Sequence, residues 1–376
     1  MLKKAINIII ILLLTAAVNI PVCALETDDL SAASAVLYFP AGDEVLFEKD
    51  AYSRRSMAST TKIMTSLLAL EQTSPFIRTV ITDEMVNVEG TSSGLRAGDI
   101  ITLDDLVYCM LLESGNDAAN AVALTLADSF SDFALMMNKR AAEIGMHDTC
   151  FVTPSGLDDE NHYTTAYDMA LLTAEALRND YFVSICSQKK YTVDFISSDK
   201  TVTLYNHNRL LESYDGCIGV KTGFTKKSGR CLVSAAERNG VVLVAVTLNA
   251  GDDWNDHAKM LDYGFSVISE KAIDCDFSSL SVPVTGGVSE SVSVCGAERK
   301  VFVSDTHKEI TRKLYLEKFV YAPVKKGSII GYAEYICDGR VIEKVPLTAS
   351  ADIEKKEHKN IFDRILFLFD SWWKNG

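Results

Sequence analysis

Three apolar runs with the composition of β-strands follow one another between residues 217 and 250: CIGVKTGFT, RCLVSAAER and VVLVAVTLNA. Asn239-Gly240 separates the second run from the third, and this dipeptide is a strong signal for a tight turn between antiparallel strands. The three runs therefore predict adjacent antiparallel strands. Residues 35–49, AVLYFPAGDEVLFEK, predict a further hairpin that turns at residues 40–43.

Two segments after this hairpin have the spacing of buried helices joined by a short link. LDDLVYCMLLE opens with a capping box at residues 102–105 and ends at Ser114-Gly115-Asn116, and DAANAVALTLADSF then begins a second helix. A third helix, SDFALMMNKRAAEIG, is predicted to be capped by Ser131. A tight link can direct the Ser114 and Asn116 side chains into a cleft, and the alternative is a plain helix–helix turn.

The composition changes near residue 276. Residues 276–350 are rich in Val, Ser and Thr, with short β runs such as SIIGYAEYI and RVIEKVPLTA on either side of a turn signal at Asp338-Gly339. These features predict a small all-β domain that serves as a spacer or a partner surface. Residues 25–272 are predicted to form a larger first domain.

The two ends of the chain carry patterns typical of export and of membrane association. Within residues 1–24, two lysines precede an apolar stretch and small residues follow, as in a secretory signal peptide; an uncleaved anchor is the alternative. Residues 355–376 place Phe, Ile, Leu and Trp at helical spacing among lysines. This tail predicts an amphipathic helix in the membrane interface, and the alternative is a helix docked on the protein's own surface.

Charge and cysteine spacing argue against two classes of protein. The formal net charge is −14, whereas a nucleic-acid binder normally shows a basic face. The nine cysteines are scattered without C-x-x-C spacing, so no metal cluster is predicted.

The stretch ASTTK at residues 58–62 precedes IMTSLLALE, an apolar run of helical spacing without Gly or Pro. If the helix starts at Ser59 or Thr60, one turn brings the Lys62 amine beside the Ser59 hydroxyl. A partly desolvated amine can take the serine proton near neutral pH, and the free N–H groups at a helix start suit a developing oxyanion. The S-x-x-K spacing is weak alone, because it recurs at 187–190, 197–200 and 371–374. A capping serine with an exposed lysine is the alternative.

Two further motifs stand downstream and could supply partners. Ser114-x-Asn116 lies on the predicted link between helices, and KTG at residues 221–223 lies in the first of the three β runs. Each motif sits in the local structure that its chemistry requires, and chance agreement of all three is far rarer than any single match. GTSSG at residues 90–94 fits G-x-S-x-G, but no helix follows the serine, so a plain loop is predicted there.

With these motifs the sequence resembles the serine D-alanyl-D-alanine carboxypeptidases, low-molecular-mass penicillin-binding proteins of the penicillin-recognising serine enzyme superfamily. ASTTKIMT, SGNDAAN, NHNRLL and GVKTGFT carry the resemblance, which covers nearly the whole mature chain. The fold that it implies is of the α/β (α+β) class: a β-lactamase/transpeptidase-like domain with an antiparallel sheet flanked by helices, then the small all-β domain and the amphipathic helix. It also implies a location at the outer face of the bacterial cytoplasmic membrane.

The resemblance implies an acyl-enzyme mechanism on peptidoglycan stem peptides that end in D-Ala-D-Ala. Ser59 would attack the carbonyl between the two D-alanines, Lys62 would accept its proton, and Ser114 would relay a proton to the departing amine. Water would then release the shortened peptide. β-Lactams would act as inhibitors, and no metal or other cofactor is implied.

A set of substrate-binding residues is implied by the same resemblance: Asn116, Lys221, Thr222, Gly223 and Phe224. Asn116 would hold the peptide's side amide, Lys221 would orient the proton-relaying serine, and Thr222 would bind the terminal carboxylate. The backbone N–H groups of the nucleophile and of Phe224 would form the oxyanion hole.

One departure from the family pattern and three alternative functions follow from the residues. Many members of the family carry an arginine shortly after the strand pair that helps to bind the terminal carboxylate, whereas residues 249–257, NAGDDWNDH, contain none. A DD-endopeptidase is therefore an alternative. A class A β-lactamase would need Glu-x-x-Leu-Asn after Cys150, where only Glu160 is available. A non-catalytic muropeptide or penicillin sensor would lack a motif residue or carry a signalling domain, and all motif residues are present.

Overall fold

The chain divides into two compact units, Met1–Val267 and Ile268–Gly376. The computed structural model describes residues 24–72, 77–304, 309–357 and 361–375. The predicted signal segment at residues 1–24 lies outside the described residues except for its last position.

Strands and helices of the first unit are numbered here in chain order. The strands are β1 (Ser34–Phe39), β2 (Glu44–Lys49), β3 (Arg78–Val80), β4 (Ile100–Thr102), β5 (Lys190–Asp194), β6 (Thr201–Tyr205), β7 (Cys217–Thr225), β8 (Gly229–Arg238) and β9 (Val241–Ala250). The helices are α1 (Lys62–Leu70), α2 (Asp83–Val86), α3 (Leu103–Leu111), α4 (Asn116–Leu126), α5 (Phe130–Ile144), α6 (Ala166–Ala176), α7 (Asp180–Cys186), α8 (Leu210–Ser213) and α9 (Asp253–Val267).

A five-stranded antiparallel sheet in the order β2-β1-β9-β8-β7 forms the centre of this unit. The three adjacent strands and the hairpin of residues 35–49 are thus confirmed. Asn239 and Gly240 have φ angles of 52° and 82°, as the tight turn between β8 and β9 requires. Strand β7 lies at one edge of the sheet.

Helices cover both faces of the sheet. Successive side chains of a strand point to opposite faces, and successive residues of β1, β8 and β9 are apolar and buried, so both faces must be covered. Tyr38 of β1 faces the large core, and its ring meets that of Tyr167 in α6 edge-on, with centroids 6.3 Å apart. On the other face, a Cβ on Gly264 of α9 would lie 2.8 Å from the Leu37 side chain, so α9 packs closely there. The predicted antiparallel sheet flanked by helices is confirmed.

The helix boundaries agree with the sequence signals with one exception. The Thr102 hydroxyl accepts a hydrogen bond from the Asp105 N–H and caps α3, as predicted. The prediction that Ser131 caps the third helix is wrong, because that cap is Ser129. Ser129 has extended backbone angles, and its hydroxyl accepts a hydrogen bond from the Asp132 N–H at 3.0 Å.

The second unit is built from short strands, as predicted. They are β10 (Ser269–Ala272), β11 (Ser281–Thr285), β12 (Ser291–Gly296), β13 (Lys300–Val303), β14 (Ile310–Leu316), β15 (Val320–Tyr321), β16 (Ile329–Cys337) and β17 (Arg340–Ala349). Six of them form a sheet in the order β14-β16-β17-β12-β11-β15. The hairpin turn at Asp338-Gly339 is present, and both residues have positive φ.

The predicted tail helix is present as α10 (Ile361–Asn375). Seven of its large apolar side chains are exposed: Phe362, Ile365, Leu366, Leu368, Phe369, Trp372 and Trp373. Within the described part of the chain, no helix is long and apolar enough to span a bilayer.

Candidate active site

Ser59 lies in a short 3-10 helix, Ala58–Thr61, that continues directly into α1. Ala58 has a φ angle of 48°, a left-handed conformation that is costly for a residue with a Cβ and typical of sharp functional turns. Lys62 begins α1, and its amine donates a hydrogen bond to the Ser59 hydroxyl at 2.9 Å. The structure therefore brings this predicted pair into contact.

Lys62 is fully buried, and among the described residues no carboxylate forms a hydrogen bond or ion pair with its amine. It donates to Asn116 Oδ1 and to the carbonyl oxygen of Ser155, both at 2.7 Å. Burial holds the pKa of Lys62 well below its usual value, and the positive charge of Lys221 lowers this pKa further. A lowered pKa increases the fraction of neutral amine, whose lone pair can accept the Ser59 proton.

Ser114 and Asn116 sit on the link between α3 and α4, as predicted, and Asn116 is the first residue of α4. Ser114 has a φ angle of 65°, so the link turns through a left-handed residue and directs this hydroxyl toward the cleft. The Asn116 amide is held at both ends, since its Nδ2 donates to the Glu89 carbonyl at 2.6 Å while its oxygen accepts from Lys62.

Lys221 is a second fully buried cation, on β7. Burial lowers the pKa of its amine to about 7, and the Glu113 carboxylate acts in the opposite direction. The amine donates to the Thr222 carbonyl at 3.0 Å, and among the described residues no hydrogen bond joins it to Ser114. In its protonated form Lys221 adds a positive charge close enough to Lys62 to lower the pKa of that amine.

Gly223 lets β7 approach the start of the nucleophile's helix. A Cβ at this position would lie 3.1 Å from the backbone nitrogens of Ser59 and Thr60. A cleft of about 530 Å³ opens beside this junction. Five of the predicted site residues line it: Ser59, Ser114, Thr222, Gly223 and Phe224. The other lining residues were not predicted as site residues: Thr91, His207, Arg209, Arg230, Asp253 and Trp254.

The loop at residues 90–94 is a loop, as predicted, but its attachment to the site was not foreseen. Asp117 is fully buried, and its carboxylate accepts hydrogen bonds from the Ser92 hydroxyl at 2.6 Å, the Ser93 N–H at 2.8 Å and the Leu95 N–H at 3.1 Å. Thr91 of this loop lines the cleft. The residue that follows Asn116 therefore fixes one wall of the site.

Residues 150–163 contact the helix that carries the nucleophile. The Val152 N–H donates to His162 Nδ1 at 2.9 Å, so a neutral ring carries its proton on Nε2, which lies 2.8 Å from the Thr61 hydroxyl. Burial lowers the pKa of His162 to about 4, which keeps the ring neutral at physiological pH. Ser155 of the same segment supplies the carbonyl that contacts Lys62.

A serine hydroxyl in contact with a buried lysine whose pKa is lowered, beside an edge strand and an open cleft, defines a class of protein: serine acyl-transfer enzymes that use a lysine base. The model of the D-alanyl-D-alanine carboxypeptidase family matches residues 22–252, and that of the C-terminal domain of penicillin-binding protein 5 matches residues 276–355. The chain belongs to the D-alanyl-D-alanine carboxypeptidase family.

Known relatives and solved structures are similar over most of the chain. It is 30% identical over 340 residues to D-alanyl-D-alanine carboxypeptidase DacF of Bacillus subtilis, which covers 86% of each protein. It is 29% identical to DacC of Escherichia coli over 93% of this chain and 91% of that protein. The Streptomyces K15 DD-transpeptidase structure superposes with a TM-score of 0.62 at 31% identity, covering 65% of this chain and all of that one.

Proposed function

We propose that this protein is a serine D-Ala-D-Ala carboxypeptidase that removes the terminal D-alanine from peptidoglycan stem pentapeptides and so limits cross-linking during cell-wall maturation. The observation that carries this proposal is the 2.9 Å contact between the Ser59 hydroxyl and the buried Lys62 amine at the base of a cleft. The names of the relatives support the substrate class.

Acylation begins when the Ser59 oxygen attacks the carbonyl carbon between the two D-alanines while Lys62 takes the hydroxyl proton. The N–H groups of Ser59 and Phe224 stabilise the oxyanion that forms on the carbonyl oxygen. The C–N bond then breaks, and the proton passes through Ser114 to the departing D-alanine amine. A water molecule attacks the ester, with Lys62 again as the base, and releases the shortened peptide.

The remaining predicted residues bind the peptide. Asn116, held between Lys62 and the Glu89 carbonyl, presents its amide to the peptide's side amide. Lys221 keeps the site positive and acts on Ser114 through its charge. Gly223 has no side chain, which allows β7 to lie close to the nucleophile's backbone, and the Thr222 hydroxyl donates a hydrogen bond to the terminal carboxylate. The free edge of β7 suits an extended peptide, which can pair with it as an additional strand.

Residues 25–272 form the catalytic domain in this proposal, and residues 276–350 act as a spacer. The first 24 residues direct export, and the tail holds the enzyme at the outer face of the cytoplasmic membrane. The exposed apolar side chains of α10, which include Phe369, Trp372 and Trp373, support attachment to the membrane, since aromatic and apolar side chains on one helix favour a membrane interface. Binding of the full mature chain to anionic vesicles, lost when residues 355–376 are removed, tests it.

The activity itself is tested by incubating the mature chain with a synthetic pentapeptide that ends in D-Ala-D-Ala and following free D-alanine. The expected result is release by the wild-type protein and none by Ser59→Ala. A matched control is Ser56→Ala, which removes a hydroxyl three residues before the nucleophile and is expected to keep activity. Cleavage of cross-linked dimers without release of D-alanine from the pentapeptide would favour the DD-endopeptidase. If the protein catalyses neither of these two reactions, the proposal is contradicted.

A further inference from the structure

The cleft contains an arginine that none of the three motifs includes and whose position is fixed by neighbouring side chains. Arg230, at the start of β8, donates from Nε to Asp253 Oδ1 at 3.0 Å, and its Nη2 also contacts this carboxylate oxygen. The Asp253 side chain is only 4% exposed, whereas that of Arg230 is 43% exposed. The guanidinium carbon lies 5.7 Å from the centroid of the Trp254 ring.

We propose that Arg230, held by Asp253 and Trp254, binds the terminal carboxylate of the peptide substrate beside Thr222 and determines the preference for a free carboxyl end. This inference rests on the proposed function and names a specificity-determining residue for it.

Strand register places Arg230 on the correct side of the sheet. Arg230 pairs with Phe224 across β7 and β8, and paired residues of antiparallel strands point to the same face. Thr222 lies two residues before Phe224 on β7 and shares that face. The two side chains are therefore diagonal neighbours, and both line the cleft that contains Ser59.

The contact with Asp253 leaves donors available. A guanidinium has five N–H groups, and the contacts from Nε and Nη2 to one carboxylate oxygen occupy two of them. The other N–H groups form no hydrogen bond within the described residues, and the side chain is 43% exposed. The planar guanidinium can bind a carboxylate through two parallel hydrogen bonds. Because Asp253 is nearly buried, it fixes the orientation of the guanidinium before the substrate arrives.

Arg209 is the competing cation at this cleft. It precedes α8 on the chain and is exposed, and among the described residues its side chain forms no ion pair or hydrogen bond. Ordering a free arginine side chain costs conformational entropy that an already oriented one does not lose again. Preorganisation and the shared face with Thr222 both favour Arg230.

The experiment compares two peptides that differ only at the reacting end: a pentapeptide ending in D-Ala-D-Ala and the same peptide ending in D-alaninamide. For Arg230→Gln, we expect kcat/KM on the carboxylate peptide to fall between about tenfold and 100-fold, mainly through KM, the range that hydrogen bonds to charged groups give. The value on the carboxamide peptide is expected to change less than about threefold.

Two further variants separate binding from structure. Arg230→Gln leaves the Asp253 carboxylate without its cation, which can destabilise the fold, so the double variant R230Q/D253N restores a neutral pair. A binding role predicts that the double variant folds yet does not regain preference for the carboxylate. Lys226→Gln removes an exposed charge from the turn between β7 and β8, outside the cleft, and is expected to keep the wild-type ratio of the two kcat/KM values.

Three outcomes would overturn the inference. Each concerns the ratio of kcat/KM on the carboxylate peptide to kcat/KM on the carboxamide peptide. The carboxylate would be assigned to another group if this ratio were unchanged in R230Q or returned to the wild-type value in the folded double variant. The same would follow if the ratio fell in Arg209→Gln but not in R230Q. If the wild-type protein releases D-alanine and the ratio does not depend on Arg230, only this inference fails. If it releases neither D-alanine nor D-alaninamide, the proposed function fails as well.

Discussion

Asp117→Asn is expected to destabilise the first unit and to loosen one wall of the cleft. Oδ1 of Asp117 accepts from the N–H groups of Ser93 and Ala118, and Oδ2 accepts from the Ser92 hydroxyl and the Leu95 N–H. An asparagine can replace only one of these oxygens, and its NH₂ group then faces at least one backbone N–H. The milder case places the asparagine NH₂ group at the position of Oδ2, because the Ser92 hydroxyl can rotate and accept a hydrogen bond from this NH₂ group.

The magnitude follows from the Leu95 N–H, the group that loses its acceptor. A hydrogen bond to a charged group contributes about 1.5–3 kcal/mol, and leaving a buried donor unsatisfied costs about 1–3 kcal/mol. We therefore expect Asp117→Asn to lower the free energy of unfolding by about 3 kcal/mol. Asp128→Asn, the same change at an exposed position, is expected to alter it by less than about 0.5 kcal/mol.

Urea denaturation of both variants measures this difference, and amide hydrogen exchange at Ser93 and Leu95 reports the loop itself. The Asp117 charge also raises the pKa of Lys62, so its removal should move the rising limb of the acylation rate to lower pH. Equal stabilities of the two variants, together with unchanged exchange at these amides, would refute the reasoning.

Four other outcomes are expected. Lys62→Met abolishes acylation of the folded protein, and in the wild type the acylation rate increases with pH with a midpoint well below 10.5, because the neutral amine is the base; a midpoint near 10.5 would contradict this. Lys221 is buried with a pKa of about 7, so the unfolded chain binds one proton more than the folded chain between that pH and 10.5, and stability increases there by up to about 1.4 kcal/mol per pH unit. Urea midpoints should show a shallower increase in Lys221→Met. Gly156→Ala places a Cβ 1.9 Å from the Ala58 carbonyl oxygen and should cost about 3 kcal/mol in a denaturation experiment, against about 1 kcal/mol for Gly98→Ala, whose positive φ is similar but whose surroundings are open. The penicilloyl group should be released slowly. A class A β-lactamase holds its deacylating glutamate in the segment that here contains Ser155, and within the described residues this segment accepts a hydrogen bond from Lys62 only through the Ser155 backbone carbonyl. Rapid turnover in a nitrocefin assay would refute this.

Local patterns were sufficient for the parts of the fold that depend on neighbours in sequence. The Asn239-Gly240 turn, the cap at Thr102 and the position of Lys62 one helical turn after Ser59 all follow from spacing within a few residues. The error at Ser131 was avoidable, because Ser129 is the serine that has an acidic residue, Asp132, three positions later.

Contacts between distant segments could not be read in this way. Nothing near Lys62 in the sequence indicates that the Ser155 carbonyl lies 2.7 Å from its amine, since the two residues are joined only by tertiary packing. The same holds for Arg230 and Asp253, which a strand hairpin separates. The absence of an arginine from residues 249–257 was visible in the sequence, but the guanidinium on β8 beside that segment was not.

Mass spectrometry after incubation with penicillin identifies the residue that forms the acyl-enzyme. We expect the intact mature chain to gain the mass of one penicillin and peptide mapping to place the adduct on Ser59, with no adduct in Ser59→Ala. An adduct on another serine, Ser114 included, or an adduct that persists in Ser59→Ala would show that Ser59 is not the nucleophile.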